Sequence, residues 1–94
     1  MTDQQNNERK QTVLFLNLVL SMHTAALQNL GKAENPMTGK EEVNLEQAQA
    51  YIDMLDMLEA KTSNNLQNDE KQYLQNTLTE LKTIYVEELN KQNK

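Results

Sequence analysis

The 94-residue chain contains no cysteine and no tryptophan, and it has only two glycines and one proline. The absence of cysteine excludes disulfides, thiolate catalysis and cysteine-ligated zinc, so we expect a reducing, cytoplasmic location. The sequence also lacks a glycine-rich phosphate loop and a Gly-x-Ser-x-Gly nucleophile motif. Basic residues are scarce, with 9 Lys and Arg against 14 Asp and Glu, and this excess of acid would repel phosphate groups. We therefore expect no nucleic-acid partner.

Charge is absent from one continuous segment, which runs from Gln11 to Gly31. Its length is that of a membrane span. However, Asn17, Ser21 and four further polar side chains are too many for a helix in lipid, so we expect no membrane insertion. The charges after this segment account for the whole net charge of -5.

The charge-free segment is predicted to form the first of three helices, over residues 12–30. It ends at Gly31, because glycine readily adopts the left-handed backbone that closes a helix. Pro36 and Gly39 mark residues 32–44 as a loop, which is long for a helical bundle.

The other two helices are predicted over 45–61 and 69–89, from apolar residues at spacings of three and four. Asn44 can cap the second helix, and Gln47 stands where a capping box needs it. Thr62–Asn65 is a turn in which Asn64 or Asn65 takes the left-handed conformation. No segment alternates with a period of two, so the predicted fold is all-α.

The two ends of the chain are predicted to lie outside the fold. Residues 1–11 are polar and have no apolar periodicity, which is typical of a disordered tail, and residues 90–94 are expected to fray. A single helical domain over 12–89 remains.

The first helix is apolar over most of its circumference. Asn17, Ser21, Thr24 and Gln28 fall within one narrow arc, which leaves an apolar arc of about 260°, against about 100° for a helix packed on one core. Two amphipathic helices cannot cover that arc, so we predict that the three-helix unit assembles as a helical-bundle homodimer. The predicted oligomer interface comprises Leu14, Phe15, Leu16, Leu18, Val19, Leu20, Met22, His23, Ala26, Leu27 and Leu30.

Residues with catalytic or metal-binding potential are few. His23 is the only histidine, and it lies on the apolar arc with no acid within one helical turn. Asp53, Asp56 and Glu59 form an acidic row, but such rows usually lie on a solvated face. We therefore expect a non-enzyme with no catalytic residue, no metal site and no cofactor.

Several short motifs resemble the bacterial domain-of-unknown-function family numbered 1844. These motifs are Leu14–Ser21, Ala25–Leu27, Leu30-Gly31, Asn35–Gly39, Ile52–Leu55, Lys61-Thr62, Asn65-Leu66 and Tyr85-Val86. The resemblance implies a bacterial, soluble, all-helical domain, and it supplies no activity. It also implies structural roles for Gly31, Pro36, Gly39, Asp53, Lys61, Thr62 and Asn65.

Two positions depart from the pattern of that family. Asn64 stands where the family has glycine, and asparagine can take the same left-handed turn at a modest cost. Gln67 replaces the Thr or Ser that caps the last helix, so Asn68 or Asp69 is expected to cap it instead. For Asp53, pairing with Lys61 or Lys82 and capping of the loop at 35–39 remain alternatives.

These observations favour a helical interaction module that forms a homo-oligomer through its first helix and binds another protein. One alternative is a small-ligand bundle, with an apolar cavity lined by Val19, Met22, His23, Ala26 and Tyr51. The other is a metal-dependent helical enzyme that uses His23 with Asp53 and Asp56.

Overall fold

A computed structural model describes the backbone of residues 2–93 and the side chains of residues 6–93. It contains three helices: α1 (Thr2–Asn29), α2 (Leu45–Lys61) and α3 (Asn68–Gln92). Residues 2–93 form no strand, only two isolated bridges, Leu30–Val43 and Asn35–Lys40. The all-α prediction is therefore confirmed.

The three helices pack around one apolar core. α2 runs antiparallel to α1, since the Asn44 N–H at its start donates to the Asn29 carbonyl at the end of α1 (2.7 Å). α3 runs parallel to α1, since His23 lies 3.0 Å from Glu80, and Lys32 lies 3.2 Å from Glu88. The buried apolar residues are Val19, Ala26, Leu30, Ala48, Ile52, Leu55, Leu74, Leu78 and Leu81.

α1 begins at Thr2, so the prediction of a disordered tail is wrong for residues 2–11. Periodicity cannot show this extension, because the sequence of these residues contains no apolar side chain. Gln, Glu, Arg and Lys are good helix formers, and extending an existing helix avoids the cost of nucleation. For the same reason α3 extends to Gln92 rather than 89, while residues 1 and 94 of the predicted tails lie outside the described backbone.

α1 ends in a Schellman motif around Gly31, as its glycine predicts. The N–H of Lys32 donates to the Leu27 carbonyl (2.9 Å), and the N–H of Gly31 donates to the Gln28 carbonyl (3.2 Å). Gly31 has φ +75°, and a Cβ at this position would lie 2.8 Å from Cγ2 of Val43. Both the backbone angle and the close approach of the loop therefore require glycine.

The loop between α1 and α2 contains a closed turn. The N–H groups of Asn35 and Gly39 donate to the carbonyls of Lys40 (2.8 Å) and Asn35 (2.7 Å), respectively. The Asn35 side chain accepts from the N–H of Met37 (2.8 Å), across Pro36. This arrangement gives Pro36 and Gly39 the structural role that the resemblance implies, because proline presets the turn and Gly39 has φ +71°.

α2 has the predicted bounds and the predicted N-cap. The Asn44 side chain accepts from the N–H of Gln47 (3.0 Å). The other half of a capping box is replaced, because the N–H of Asn44 bonds to Asn29 instead of the Gln47 side chain. At the other end, after Lys61, the Thr62 hydroxyl donates to the Leu58 carbonyl (2.7 Å).

The turn after α2 resolves two alternatives left open by the sequence. Asn64 takes the left-handed conformation, with φ +67°, and Asn65 does not. Gln67 is the residue that precedes α3, so neither Asn68 nor Asp69 is its cap. The Gln67 N–H donates to the carboxylate of Glu70 (2.8 Å), which explains why a poor capping residue suffices here.

Candidate interaction surface

The structure divides the apolar arc of α1 into a buried stripe and two exposed sides. Val19, Ala26 and Leu30 are completely buried within a single chain. Because they expose no surface that a second copy could contact, the prediction that they belong to an oligomer interface is wrong for these three residues. The two amphipathic helices cover the middle of the arc and leave its margins open, as its width predicts.

The two sides of α1 flank this stripe. Leu14 and Leu18 are 58% and 49% exposed, and helical geometry places them on the side of α1 that faces α2. Val13 and Leu20 are 55% and 48% exposed and lie on the opposite side of α1. This side faces α3, because His23, which lies on it, contacts Glu80 of α3. Leu18 and Leu20 thus have the same chemistry and exposure but belong to opposite sides.

The other predicted interface residues are half-buried. Phe15, Met22 and Leu27 pack against the core, whereas Leu16 lies at its margin. His23 is 18% exposed in its side chain. Interface roles for these residues and for the exposed leucines stay predictions.

α2 extends the apolar surface on the side of Leu14 and Leu18. Met54 is 46% exposed and lies on the side of α2 that faces away from Asp56, whose carboxylate pairs with Lys82 of α3 (2.9 Å). We call the surface formed by α1 and α2 on this side the α1–α2 face. It comprises Leu14, Leu18 and Ala25 from α1 and Tyr51, Met54 and Leu58 from α2.

The α1–α2 face carries no charge along its middle but differs in charge at its two ends. The acidic residues of α2 lie toward α3 or away from the core. Lys10 and Lys61 are exposed at the end where α1 meets the end of α2. Glu42 and Glu46 are exposed at the opposite end, where α2 begins.

The surface between α1 and α3 includes a polar contact between the two helices. The Nε2 of His23 lies 3.0 Å from a carboxylate oxygen of Glu80, in the middle of this surface. Sequence reasoning missed this partner because Glu80 is 57 residues away and becomes a neighbour only through the parallel packing of α1 and α3.

The residues proposed for a metal-dependent enzyme are not brought together. Asp53 is exposed and accepts from the Gln49 side chain (2.8 Å), so none of the alternatives considered for it is observed. Asp56 takes the pairing with Lys82, and His23 contacts Glu80. Among the described residues, no group of three His, Cys, Asp or Glu side chains could hold a metal ion.

The ligand cavity considered from the sequence is not among three clefts of the described chain. One cleft, of about 580 Å³, lies between the end of α2 and the start of α3, with mostly polar lining residues such as Asp56, Asn64 and Lys71. The other two lie near Thr12 and Gln67. None of the three includes a residue of the set proposed for an apolar ligand.

Glu88 forms the most buried ionic contact in the described chain. Its side chain is 9% exposed and accepts from the ammonium groups of Lys91 (2.9 Å) and Lys32 (3.2 Å). These hydrogen bonds, from Lys91 first and then Lys32, lower the pKa of Glu88 below its ordinary value of 4.5. The hydrogen bond that Lys91 donates to Glu88 also raises the pKa of Lys91 above 10.5. The cluster holds the start of the long loop against the end of α3.

We expect Glu88→Gln to destabilise the fold at neutral pH. A carboxylate whose pKa is lowered on folding contributes stability above its unfolded pKa, and this contribution is lost as the pH falls below about 4.5. The raised pKa of Lys91 has the opposite sign, so its contribution is present below about 10.5 and is lost above it. Urea unfolding across pH should show the wild type and the variant converging at both extremes. Glu41→Gln, an exposed loop substitution, is the control, and a pH-independent difference for Glu88→Gln would contradict the assignment.

Within residues 2–93, none of the helices combines the length and the apolar character needed to cross a lipid bilayer.

Comparisons with curated proteins and with solved structures find no match. The family model described as "Domain of unknown function (DUF1844)" matches residues 12–87. The match covers all three helices and both connecting segments, apart from the outer ends of α1 and α3. The chain therefore belongs to the DUF1844 family.

Proposed function

We propose that this protein is a non-enzymatic interaction module that associates with itself through the exposed sides of α1. One observation carries the proposal: Val13, Leu14, Leu18 and Leu20 are each about half exposed within a segment that has no charge. Soluble proteins rarely leave such a group of apolar side chains open to water unless it forms an interface. The lack of cysteine favours a cytoplasmic setting.

Folding alone does not explain these exposed leucines. Core packing requires only the buried stripe of α1, and the remaining positions could carry charged side chains without loss of core contacts. Burial of apolar surface contributes about 25 cal/mol per Å², so covering several half-exposed leucines would favour association by several kcal/mol before its entropic cost. A second copy is the simplest occupant, because a two-fold axis presents the same apolar group on both partners.

The test is the molar mass in solution, measured by light scattering from micromolar to millimolar concentration. We expect the wild type to form a dimer or a larger species. The variant Leu14→Glu/Leu20→Glu, which places one charge on each side of α1, should be monomeric with unchanged helix content by circular dichroism. The control Met37→Glu/Val86→Glu adds the same charge at two exposed positions away from α1 and should still associate.

A wild type that remains monomeric at every concentration would overturn self-association. The apolar sides of α1 would then be open to a different protein, and affinity capture with the wild type and the α1 variant would identify proteins that depend on those leucines.

A further inference from the structure

We infer that the occupant of the α1–α2 face is the same face of a second copy, turned so that α1 of one copy runs antiparallel to α1 of the other across the interface. This inference rests on the proposed function and adds to it the participation of α2, the side of α1 that is used, and the orientation of the partner.

The area of the surface is the first argument. Between Lys10 and Gln28, α1 is about 27 Å long and about 10 Å wide. Its projected area is therefore less than half of the roughly 600–800 Å² that each partner buries in a stable interface. α2 lies beside it with Tyr51, Met54 and Leu58 on the same side, which roughly doubles the available surface. An interface that includes both helices comes close to the lower end of that range, and it forms a four-helix bundle from two helical hairpins.

The absence of charge is the second argument. The six residues of the α1–α2 face include no ionisable carboxylate or ammonium group, in a chain with a net charge of -5. On the surface between α1 and α3, by contrast, a two-fold axis near His23 would bring Glu80 of each copy close to its equivalent. Like charges at an interface oppose association, so the α1–α2 face is favoured.

The charges at the two ends determine the orientation. A two-fold axis parallel to the helices would place Lys10 and Lys61 of one copy beside the same lysines of the other. An axis perpendicular to the helices places them beside Glu42 and Glu46 of the second copy, at both ends of the interface. Opposite charges at the rim then steer the partners into the antiparallel arrangement.

Matched substitutions test which side of α1 is used. Leu18→Glu and Met54→Glu, on the α1–α2 face, should each weaken dimerisation on the order of 100-fold, because a charge would be buried without a partner. Leu20→Glu, on the other side of α1 at nearly equal exposure, and Val86→Glu on α3 should change the dimerisation constant by less than about threefold. Sedimentation equilibrium measures the constant, and circular dichroism confirms that every variant is folded.

Charge reversal tests the orientation. In the antiparallel dimer, Lys10→Glu/Lys61→Glu and Glu42→Lys/Glu46→Lys should each weaken self-association by about three- to tenfold, because each variant places like charges at both ends. An equimolar mixture should restore the affinity and form the heterodimer preferentially, as measured by native mass spectrometry. Added salt should weaken the wild-type dimer modestly.

Failure of the inference is distinguishable from failure of the proposed function. A wild-type dimer that is lost with Leu20→Glu but not with Leu18→Glu or Met54→Glu would overturn the α1–α2 face and leave self-association standing. A wild-type dimer that is not weakened by either charge reversal, or that tightens with added salt, would overturn the antiparallel orientation. A monomeric wild type would overturn both.

Discussion

Replacement of Val19 by glutamate is expected to unfold the chain. Val19 is completely buried at the middle of α1, where Phe15, Met22 and Ala26 continue the same stripe toward α2 and α3. A carboxylate there is either ionised without a partner in an apolar core or protonated at a large cost. The expected loss of about 3–5 kcal/mol or more is comparable to the whole stability of about 5–14 kcal/mol for a domain of this size.

The neighbouring substitution Leu18→Glu is the control for this prediction. It introduces the same charge one residue earlier, at a position that is half exposed, and the helix should remain folded. At a protein concentration below the dimerisation constant, circular dichroism with a thermal melt should show no cooperative transition for Val19→Glu and a nearly wild-type transition for Leu18→Glu. A folded Val19→Glu variant would mean that the buried stripe of α1 is placed incorrectly.

This pair of residues also shows where sequence reasoning reached its limit. The breadth of the apolar arc correctly predicts that two partner helices leave part of α1 uncovered. It does not indicate which part, because a helix that is apolar over about 260° has no single inward direction. Only the positions of α2 and α3 distinguish buried Val19 from exposed Leu18, and both therefore appeared as interface residues in the sequence-based prediction.

The second helix was predictable because local signals agree along it. A capping asparagine at Asn44, a narrow apolar stripe and a C-terminal turn all indicate the same bounds, and the structure has them. The start of α1 was not predictable from the same kind of signal. Residues 2–11 are helical because they extend a helix that is stabilised elsewhere, and no residue pattern records that.

Contacts between distant side chains were the least predictable part of the candidate site. The sequence suggests Lys82 as one possible partner of Asp53, whereas the packing of α2 on α3 pairs Lys82 with Asp56. From the sequence, Glu88 is indistinguishable from a surface acid, yet Lys32 and Lys91 both contact its buried carboxylate. Such pairings depend on the relative shift of two helices along their axes, and a change of one turn would replace every partner.

The substitution Leu55→Ala should cause the second large loss of stability. Leu55 is completely buried on α2 at the centre of the core, and removing its terminal carbons leaves a cavity that costs about 2–5 kcal/mol. For a domain of this length, such a loss lowers the melting temperature by about 10 °C or more.

Met54→Ala, at the adjacent position, should affect self-association more than folding stability. Because Met54 is nearly half exposed in the single chain, its truncation should cost less than about 1 kcal/mol of folding stability but should weaken self-association. Chemical denaturation at a protein concentration below the dimerisation constant isolates the folding term, and sedimentation equilibrium measures the association term. If Leu55→Ala changed only association, or if Met54→Ala changed only folding, the assignment of adjacent residues of α2 to core and interface would be wrong. If both results are obtained, adjacent residues of α2 contribute to the core of the chain and to its interface, as Val19 and Leu18 do in α1.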